Sequence, residues 1–496
     1  MIRIENVSFK YAFCEEYALR AVNLDIGNGE FVVLLGASGC GKTTVTRLIN
    51  GLIPKFFEGE LTGAVTVDGR DAAQLNIQDL AGIVGSVFQD PRSQFFATDT
   101  TAEIAFSCEN AGLPREEICA RIEKAAKELQ ITRLLDRNIF ELSSGEKQAV
   151  AIASVYAFGP PVFVLDEPSA NLDIEAAEKL RQTLAALKQK GCTVVISEHR
   201  LHYLRELADR VVLMEGGAIA RTFDREAFLR LTNEDAGELG LRCLFAEEPA
   251  MDGTPSASFS QPVLEIENVC FQYPGRQNVL ENVSFSVRRG EVLGIVGHNG
   301  AGKSTLMELI CGLRREKAGA FRINGKRASA KQRIRSTYFV MQDSDYQLFT
   351  ESVEKELLLG HTNEPALREK AAFVMRRLDL TAYRDRHPAS LSGGQKQRVS
   401  IAVACMKEAD ILCFDEPTSG LDLTNMRRTA ELLKELAQMG KAVVVVSHDR
   451  EFLSAVCSRI IRVETGCVQE DCTAEKDSEI SLLRLSDQSV EEGISS

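Results

Sequence analysis

No apolar run in this 496-residue chain approaches the roughly 20 residues that a membrane-spanning helix needs. The first residues, 1–5, also lack the apolar core of a secretory signal. We therefore expect the protein to stay in the cytosol, with at most a peripheral role at a membrane. The longest apolar runs, Phe31–Leu35 and Ala442–Val446, have the length of buried parallel strands.

The chain also lacks an excess of basic residues and any paired spacing of its cysteines. A formal net charge of -13 argues against nucleic acid as the main partner, although a local basic patch can hide in such a total. None of the thirteen cysteines forms a C-x-x-C pair or a zinc-type spacing, which indicates reduced thiols, many of them in cores. Composition is otherwise that of an ordinary globular protein.

An internal repeat organises the chain. Gly36–Thr43 recurs as Gly297–Ser304, and Asp166–Ser169 recurs as Asp415–Thr418. The two glycine-rich segments are 261 residues apart, whereas the two Asp-Glu-Pro segments are 249 residues apart. The first copy therefore has 12 more residues than the second between its glycine-rich segment and its Asp-Glu-Pro segment. The repeat predicts two copies of one domain. We place them at 1–237 and 262–470, joined by a flexible linker at 238–261 and followed by a disordered acidic tail at 471–496.

Short apolar runs alternate with helical patterns in each copy, which predicts an α/β fold with a mainly parallel sheet. Val162–Leu165 ends at Asp166, and Thr193–Ile196 ends just before His199. Because ligands bind at the carboxyl ends of adjacent parallel strands, we expect a site at this edge. In the tail, Ile480–Leu485 is a candidate helical turn on a partner.

The Gly-x4-Gly-Lys-Thr/Ser pattern between a strand and a helix is a phosphate-binding loop, and it predicts ATP and Mg²⁺ as cofactors. Its amides and the following helix amino terminus supply positive potential. Lys42 and Lys303 are expected to reach the β- and γ-phosphates, and the hydroxyls of Thr43 and Ser304 to ligate Mg²⁺.

Acidic residues follow two of the buried strands. Asp166 and Asp415 stand where a carboxylate needs a compensating cation, which we expect to be Mg²⁺. The residues after them are candidates to polarise the attacking water, and a histidine follows a further strand in each copy. A single histidine at a strand end is more often structural, but its repetition at matched spacing favours a role in catalysis. The catalytic candidates are Glu167, His199, Glu416 and His448.

With these motifs the chain resembles the ATP-binding-cassette ATPase family, over nearly its whole length apart from linker and tail. The diagnostic segment is Leu391–Gln395, and its counterpart Leu142–Glu146 reads Leu-Ser-Ser-Gly-Glu. The resemblance implies two P-loop domains, each with a mainly parallel core sheet, an antiparallel β subdomain and an α-helical subdomain. It further implies D-loops at 169–173 and 419–422.

The resemblance also implies how the remaining candidates act. Gln89 and Gln342 match the Q-loop glutamine, which contacts Mg²⁺. Tyr11 and Tyr273 match the aromatic residue that stacks on adenine, although either can instead be a half-buried strand residue. The candidates for nucleotide binding are Tyr11, Gly36, Ser38, Gly39, Gly41, Lys42, Thr43, Thr44, Gln89, Ser143, Ser144, Gly145, Tyr273, Gly297, Asn299, Gly300, Gly302, Lys303, Ser304, Thr305, Gln342, Ser392, Gly393 and Gly394. Those for metal binding are Thr43, Gln89, Asp166, Ser304, Gln342 and Asp415.

In this family two domains pair head to tail, so each ATP is held by one domain's phosphate loop and the other's signature. The resemblance thus implies that Lys42, Asp166 and Glu167 face Ser392, Gly393 and Gly394. It implies equally that Lys303, Asp415 and Glu416 face Ser143, Ser144 and Gly145. The second site departs from the family pattern, because Ser144 adds a side chain and Glu146 a carboxylate near an anion. We expect this site to be slower or weaker rather than inactive.

The segments after the Q-loop glutamines, 89–96 and 342–349, look like the Gln-Asp-x-x-x-Gln-x-Phe segment of ATPases from energy-coupling-factor importers. Such importers take up vitamins or metal ions. The resemblance implies a motor at the cytoplasmic face of the cell membrane, with a multi-spanning coupling subunit and a small substrate-capture subunit as partners. Three alternatives stay open: aromatics that only pack the helical subdomain, a sugar or peptide importer, and a soluble translation or repair factor.

Overall fold

The computed structural model describes residues 2–12, 14–170, 172–245, 262–275, 278–342, 346–360 and 364–473. The chain divides into two compact units, Met1–Phe245 and Ala246–Ser496. Leu241 and Leu244, which lie in the segment predicted as a linker, are buried in the core of the first unit. Residues 246–261 of that linker lie outside the described residues. So does the predicted tail, apart from the last residues of a strand that ends at Thr473.

The first unit contains two sheets. The antiparallel sheet has the order β2-β1-β4-β5, and the six-stranded core sheet has the order β10-β9-β3-β8-β7-β6, in which only β10 is antiparallel to its neighbour. The strands are β1 Ile2–Tyr11, β2 Leu19–Ile26, β3 Phe31–Leu35, β4 Gly59–Val67, β5 Arg70–Asp71, β6 Val84–Val87, β7 Val162–Asp166, β8 Thr193–Ser197, β9 Arg210–Glu215 and β10 Ala218–Asp224.

The helices of the first unit cover the core sheet and form a helical subdomain. The helices are α1 Lys42–Ile49, α2 Leu52–Lys55, α3 Ile77–Ala81, α4 Thr100–Asn110, α5 Arg115–Glu128, α6 Ser144–Phe158, α7 Ile174–Gln189, α8 Arg225–Arg230 and α9 Asn233–Glu238. Helices α4, α5 and α6 pack together and share a hydrophobic core with one face of the sheet. Strand β3 is buried at all five positions, as its run of apolar residues predicts.

The second unit repeats this architecture, with sheet orders β12-β11-β14-β15 and β16-β17-β18-β13-β19-β20. Its strands are β11 Pro262–Gln272, β12 Asn278–Arg288, β13 Val292–Val296, β14 Ala318–Ile323, β15 Lys326–Arg327, β16 Thr337–Val340, β17 Ile411–Asp415, β18 Ala442–Val446, β19 Arg459–Glu464 and β20 Cys467–Thr473. Its helices are α10 Lys303–Ile310, α11 Ala330–Ser336, α12 Val353–Leu357, α13 Pro365–Arg377, α14 Gly393–Met406, α15 Leu423–Gln438 and α16 Arg450–Val456.

Both units have the predicted fold: a mainly parallel core sheet, an antiparallel β subdomain and an α-helical subdomain. In each core sheet the strand that precedes the glycine-rich loop lies next to the strand that precedes the histidine, and the strand ending in aspartate comes next. The carboxyl ends of these three strands therefore bring the candidate residues to one edge. Across the described ranges, no helix is both long and apolar enough to cross a membrane.

Candidate active sites

Glycines shape the loop between β3 and α1. Gly36 has φ 138°, and a Cβ there would lie 2.2 Å from the carbonyl oxygen of Met214. Gly41 has φ 108°, and its Cβ would meet the Leu19 side chain at 2.7 Å. Gly39, by contrast, has no neighbouring atom within 4 Å of its ideal Cβ position. The loop thus closes tightly against the unit on one side and leaves its backbone open on the other, which fits a phosphate.

The loop between β13 and α10 has the same form. Gly297 has φ 147°, and a Cβ there would lie 2.1 Å from the carbonyl oxygen of Val463, whereas Gly300 has open space beside it. Ser38 and Asn299 are exposed in the two loops, as expected for residues on the ligand side. Both loops therefore fit the predicted phosphate-binding role.

The two loop lysines are buried and turned back toward their own loops. Lys42 is 4% exposed, and its ammonium donates to the carbonyl oxygens of the first two residues after β3, at 2.8 and 3.2 Å. Lys303 makes the same two bonds after β13, at 2.6 and 2.9 Å. The Lys42 ammonium also lies 3.5 Å from His199 Nε2. A buried ammonium group favours binding of an anion beside it.

The aspartates at the ends of β7 and β17 fit a magnesium site. Asp166 Oδ1 accepts hydrogen bonds from the hydroxyls of Ser197 and Thr43, the latter at 3.2 Å. Burial raises the pKa of the Asp166 carboxyl, and so does the neighbouring Glu167. Burial likewise raises the pKa of Asp415, against a hydrogen bond from Ser304 that lowers it. A nearby divalent cation would offset the cost of ionising these carboxylates.

Hydroxyl and carboxylate oxygens are suitable ligands for Mg²⁺, which usually keeps waters and binds substrate phosphates as well. Within the described ranges no three His, Cys, Asp or Glu side chains are grouped so that they could hold a metal. A single hydroxyl with a single carboxylate, as in each unit, is consistent with Mg²⁺ bound together with a nucleotide.

The glutamates after these aspartates occupy strained backbone positions. Glu167 has φ 46° and Glu416 has φ 50°, in the left-handed region that costs a non-glycine residue on the order of 1–3 kcal/mol. Glu167 accepts a hydrogen bond from Gln89 Nε2 at 3.0 Å, and its other oxygen lies 3.1 Å from His199 Nε2. The structure thus brings two of the predicted residues of the first unit, Gln89 and His199, to the carboxylate of a third, Glu167.

The corresponding glutamate of the second unit has different contacts. The closest approach of His448 Nε2 to Glu416 Oε1 is 3.6 Å. Glu416 Oε2 instead accepts from the Ser447 hydroxyl and from the His448 amide, both at 3.3 Å. Gln342 is exposed, and residues 343–345 after it lie outside the described ranges.

The two candidate adenine tyrosines pack beside the phosphate loops. The hydroxyl of Tyr11 lies 3.1 Å from the Thr44 hydroxyl, and Tyr273 makes the same contact with Thr305. The Tyr11 ring also packs edge-on against Phe57. These contacts place each tyrosine next to the helix that follows its loop, and stacking on adenine stays a prediction.

The signature segments form the amino termini of α6 and α14. Ser143 caps α6 in a capping box, in which Glu146 Oε2 accepts from the Ser143 amide at 3.0 Å. Arg137 donates to the other oxygen of Glu146 at 3.3 Å. Burial by itself would raise the pKa of the Glu146 carboxyl. The hydrogen bonds from Ser143 and the charge of Arg137 together outweigh burial, so the pKa lies below its usual value. The Glu146 carboxylate is therefore engaged by its own helix cap, and its effect on an anion at the second site stays a prediction.

The other departure in this segment, Ser144, is also accommodated. Its counterpart Gly393 has no atom within 4 Å of its ideal Cβ position, so a side chain fits there within the unit. Gly145 is more restricted, because a Cβ would lie 2.6 Å from that of Ala176. In the first unit, then, packing requires glycine at position 145, whereas a Cβ on its counterpart Gly394 would have the Leu421 side chain as its nearest neighbour, at 3.3 Å.

Replacement of Glu146 separates its capping role from its charge. Gln395 makes the same cap in α14, accepting from the Ser392 amide at 3.0 Å. We therefore expect Glu146→Gln to leave the melting temperature of the first unit nearly unchanged, and Glu146→Ala to cost about 1 kcal/mol. Thermal denaturation of both variants checks this, with Gln395→Ala as the matched control. Equal destabilisation by Gln and Ala would show that the charge and not the cap matters.

Sequence reasoning missed a buried carboxylate behind the first D-loop. Glu198 is 2% exposed and accepts from the Ser169 amide at 3.0 Å and the Tyr203 hydroxyl at 2.6 Å. In the second unit Asp449 accepts from the Thr418 hydroxyl at 3.0 Å. The signal was available, because a carboxylate stands next to the histidine in both copies, before it in one and after it in the other.

Each unit is thus a P-loop nucleotide-binding domain. The model of the ABC transporter family matches residues 19–170 and 280–419. The chain belongs to this family, as a tandem ABC ATPase, and domains of this family bind ATP, typically with Mg²⁺.

Similar proteins cover nearly the whole chain. One from Treponema denticola, named "Putative ABC transporter ATP-binding protein", is 44% identical over 489 residues, which are 97% of this chain and 99% of that one. A protein of the same name from Methanosarcina mazei is 33% identical, over 95% of this chain and 88% of that one. Among solved structures, the archaeal ribosome recycling factor in complex with a ribosomal stalk protein is 22% identical, with a TM-score of 0.60 and coverage of 94% and 90%. At that identity the likeness shows the fold alone.

Proposed function

We propose that this tandem ATPase is the motor subunit of a membrane importer of the energy-coupling-factor type, for a vitamin or a metal ion. The observation that carries the proposal is a pair of exposed phenylalanines, one in each segment that follows a Q-loop glutamine. Phe96 is 73% exposed and Phe349 is 74% exposed. The Phe96 ring stacks on Phe106 of α4 with one face, at 4.7 Å between centroids, and most of its surface still faces solvent.

A buried glutamate holds the backbone at each of these phenylalanines. Glu103 Oε2 accepts from the amides of Phe96 and the next residue, at 2.9 and 2.8 Å. Glu356 Oε2 accepts from the amides of Phe349 and the next residue, at the same distances. Both glutamates are nearly inaccessible to solvent. Two hydrogen bonds to one buried carboxyl oxygen fix the backbone that carries each exposed ring, which lowers the ordering cost when a partner binds.

The second glutamine of each segment ties the same loop to the core sheet. Gln94 accepts from the Phe88 amide and donates to the carbonyl of Ser86 in β6. Gln347 makes the equivalent two bonds to residues 341 and 339, at 2.9 and 2.6 Å. The Gln-x-Phe pattern therefore combines a structural glutamine with an apolar side chain that faces solvent. This arrangement suits a docking surface for a short helix of a membrane subunit.

We propose further that the two units share their ATP sites, as the family resemblance implies. Each unit supplies one phosphate loop and one signature segment at a helix amino terminus, and the serine and glycine amides there suit a γ-phosphate. Lys42 and Lys303 bind phosphate, while Glu167 and Glu416 orient the attacking water and accept its proton. Thr43 with Asp166, and Ser304 with Asp415, would hold Mg²⁺. When bound, Mg²⁺ neutralises phosphate charge.

The docking proposal is tested by charge substitution at the exposed rings. Full burial of a phenylalanine is worth about 1.5–3 kcal/mol, so Phe96→Asp combined with Phe349→Asp is expected to abolish co-purification of a multi-spanning membrane protein with the tagged chain. Phe56→Asp is the control, since Phe56 is also exposed but lies outside both segments. ATP binding should persist in all variants.

Mass spectrometry of material purified from native membranes identifies the partner. Retention of the membrane protein by the double variant would contradict the docking surface. Recovery of the wild-type chain on ribosomes, without a membrane subunit, would favour the soluble-factor alternative. A substrate-binding partner specific for a sugar or peptide would favour the other importer classes.

A further inference from the structure

The second unit carries a concentrated positive charge that the first unit lacks. Residues 313–335 contain nine Lys or Arg and one acidic residue. The equivalent stretch of the first unit, 52–82, contains two Lys or Arg and five Asp or Glu. In a chain with a net charge of -13, such a local reversal needs a physical explanation.

Three of the nine cations are neutralised within the unit. Arg314 pairs with Glu308, Arg322 with Glu267, and Arg333 with Glu316. The other six are exposed, and within the described ranges no carboxylate lies at ion-pair distance from them. Together with the exposed Leu313 and Ile334 they form what we call the basic face: Leu313, Arg315, Lys317, Lys326, Arg327, Lys331, Ile334 and Arg335.

A single buried arginine connects the parts of the basic face. Arg333 is fully buried, and its guanidinium lies 4.0 Å from the ring centroid of Phe321 in β14. It also donates to the carbonyl oxygens of Ala328 and Arg314. A Cβ on Gly312, next to Leu313, would come within 3.0 Å of the Arg333 Cβ. The turn after α10, the β14–β15 hairpin and α11 are therefore fixed against one another, with Lys331, Ile334 and Arg335 on one face of α11.

The composition of the carboxyl-terminal segment, 474–496, complements this face. It contains six Asp or Glu and two Lys or Arg, and its central run Ile480–Leu485 supplies four large apolar residues. The basic face has the opposite pattern, with two exposed apolar side chains among six cations. Apolar contact inside a ring of opposite charges is a favourable interface arrangement.

The segment also starts near enough to reach the face. Strand β20 ends at Thr473. A path of paired or hydrogen-bonded residues connects this end, across the antiparallel sheet, to the β14–β15 hairpin: Thr473, Arg459, Ser286, Glu265, Arg322 and Arg327. The last three steps are strand spacings of about 4.8 Å each, roughly 15 Å in all. The pairing of Thr473 with Arg459 adds one more strand spacing and the Arg459 side chain spans the remaining step, so the whole path is about 30 Å. Residues 474–485, which end with the apolar run, can extend roughly 40 Å and can therefore reach the face.

We propose that residues 474–496 bind the basic face of the second unit within the same chain. Ile480–Leu485 covers Leu313 and Ile334, and the flanking carboxylates neutralise the six cations. A tethered ligand has an effective concentration on the order of millimolar, so even a weak contact is populated without a second molecule. While it is bound, the segment prevents other polyanions from binding to the basic face.

Limited trypsin digestion of the 496-residue protein tests the proposal. Mass spectrometry of the products measures the rate of cleavage at the Arg484–Leu485 bond, which lies in the segment. Lys331→Glu with Arg335→Glu is expected to speed this cleavage about 10-fold, because cleavage follows the population of the released segment. Lys370→Glu with Arg427→Glu is the matched control: it reverses two exposed cations elsewhere in the unit and should cleave at the wild-type rate. Adding Glu491→Lys and Glu492→Lys to the basic-face variant should restore protection.

Two results would overturn the proposal. One is equal cleavage rates in the wild-type chain and the basic-face variant, with both equally resistant to thermal unfolding. In the other, the wild-type chain binds phosphatidylglycerol vesicles or polyuridylic acid, and Lys331→Glu with Arg335→Glu abolishes that binding. The rate of cleavage at Arg484 is unchanged in the same variant. That outcome would assign the face to lipid or to RNA respectively.

Discussion

Glu167→Gln is expected to lower steady-state ATP turnover by about 100-fold or more, because a positioned general base contributes at least that much. The Glu167 carboxylate lies within 3.1 Å of both Gln89 Nε2 and His199 Nε2, so the amide variant keeps the packing and loses only the base. Nucleotide binding should therefore persist while hydrolysis fails. A phosphate-release assay with a parallel binding titration measures both.

Glu416→Gln is the matched variant and is expected to lose less turnover. Its histidine is farther away, at 3.6 Å, and its carboxylate is engaged by Ser447 and a backbone amide. The shared site proposed for Glu416 also includes the altered signature at 142–146. Equal losses in the two single variants would contradict the proposed inequality of the sites.

Gly36→Ala is expected to destabilise the first unit by about 3–5 kcal/mol and to remove nucleotide binding there, since steric overlap and a left-handed backbone both oppose the new methyl group. The methyl would lie 2.2 Å from the carbonyl oxygen of Met214, a backbone atom that cannot move without disturbing β9. Thermal denaturation with and without ATP shows both effects.

Gly39→Ala is the control in the same loop. Its φ of 81° imposes backbone strain of only about 1–2 kcal/mol, and no neighbouring atom opposes the methyl. A melting temperature as low as that of Gly36→Ala would show that backbone strain rather than the Met214 contact dominates.

The core sheet was predictable because its strands are short, uniformly apolar and followed by loop or polar residues. Phe31–Leu35 and Ala442–Val446 are strands over those residues in the structure. The repeat then fixed the equivalent parts of the second unit. The end of the first unit was harder to predict, because Leu241 and Leu244 stand in a polar stretch and only tertiary packing buries them.

Side-chain direction was the least predictable property of the site. A glutamate in the third position of a helix can face a ligand or turn back to the cap, and Glu146 turns back. The Ser-x-x-Glu spacing of a capping box was nevertheless present. The contacts of Glu103 and Glu356 join a side chain to backbone several residues earlier, which no periodicity reveals. Only their equal spacing from Phe96 and Phe349 marked them.

The left-handed backbone at Glu167 and Glu416 has a consequence for how these sites can evolve. Glycine is the residue that this conformation favours, and it would release backbone strain on the order of 1–3 kcal/mol at either position. It would also delete the carboxylate. Stability and activity therefore oppose each other at the same residue, so a screen for thermostable variants would tend to select inactive ATPases here unless turnover is selected as well.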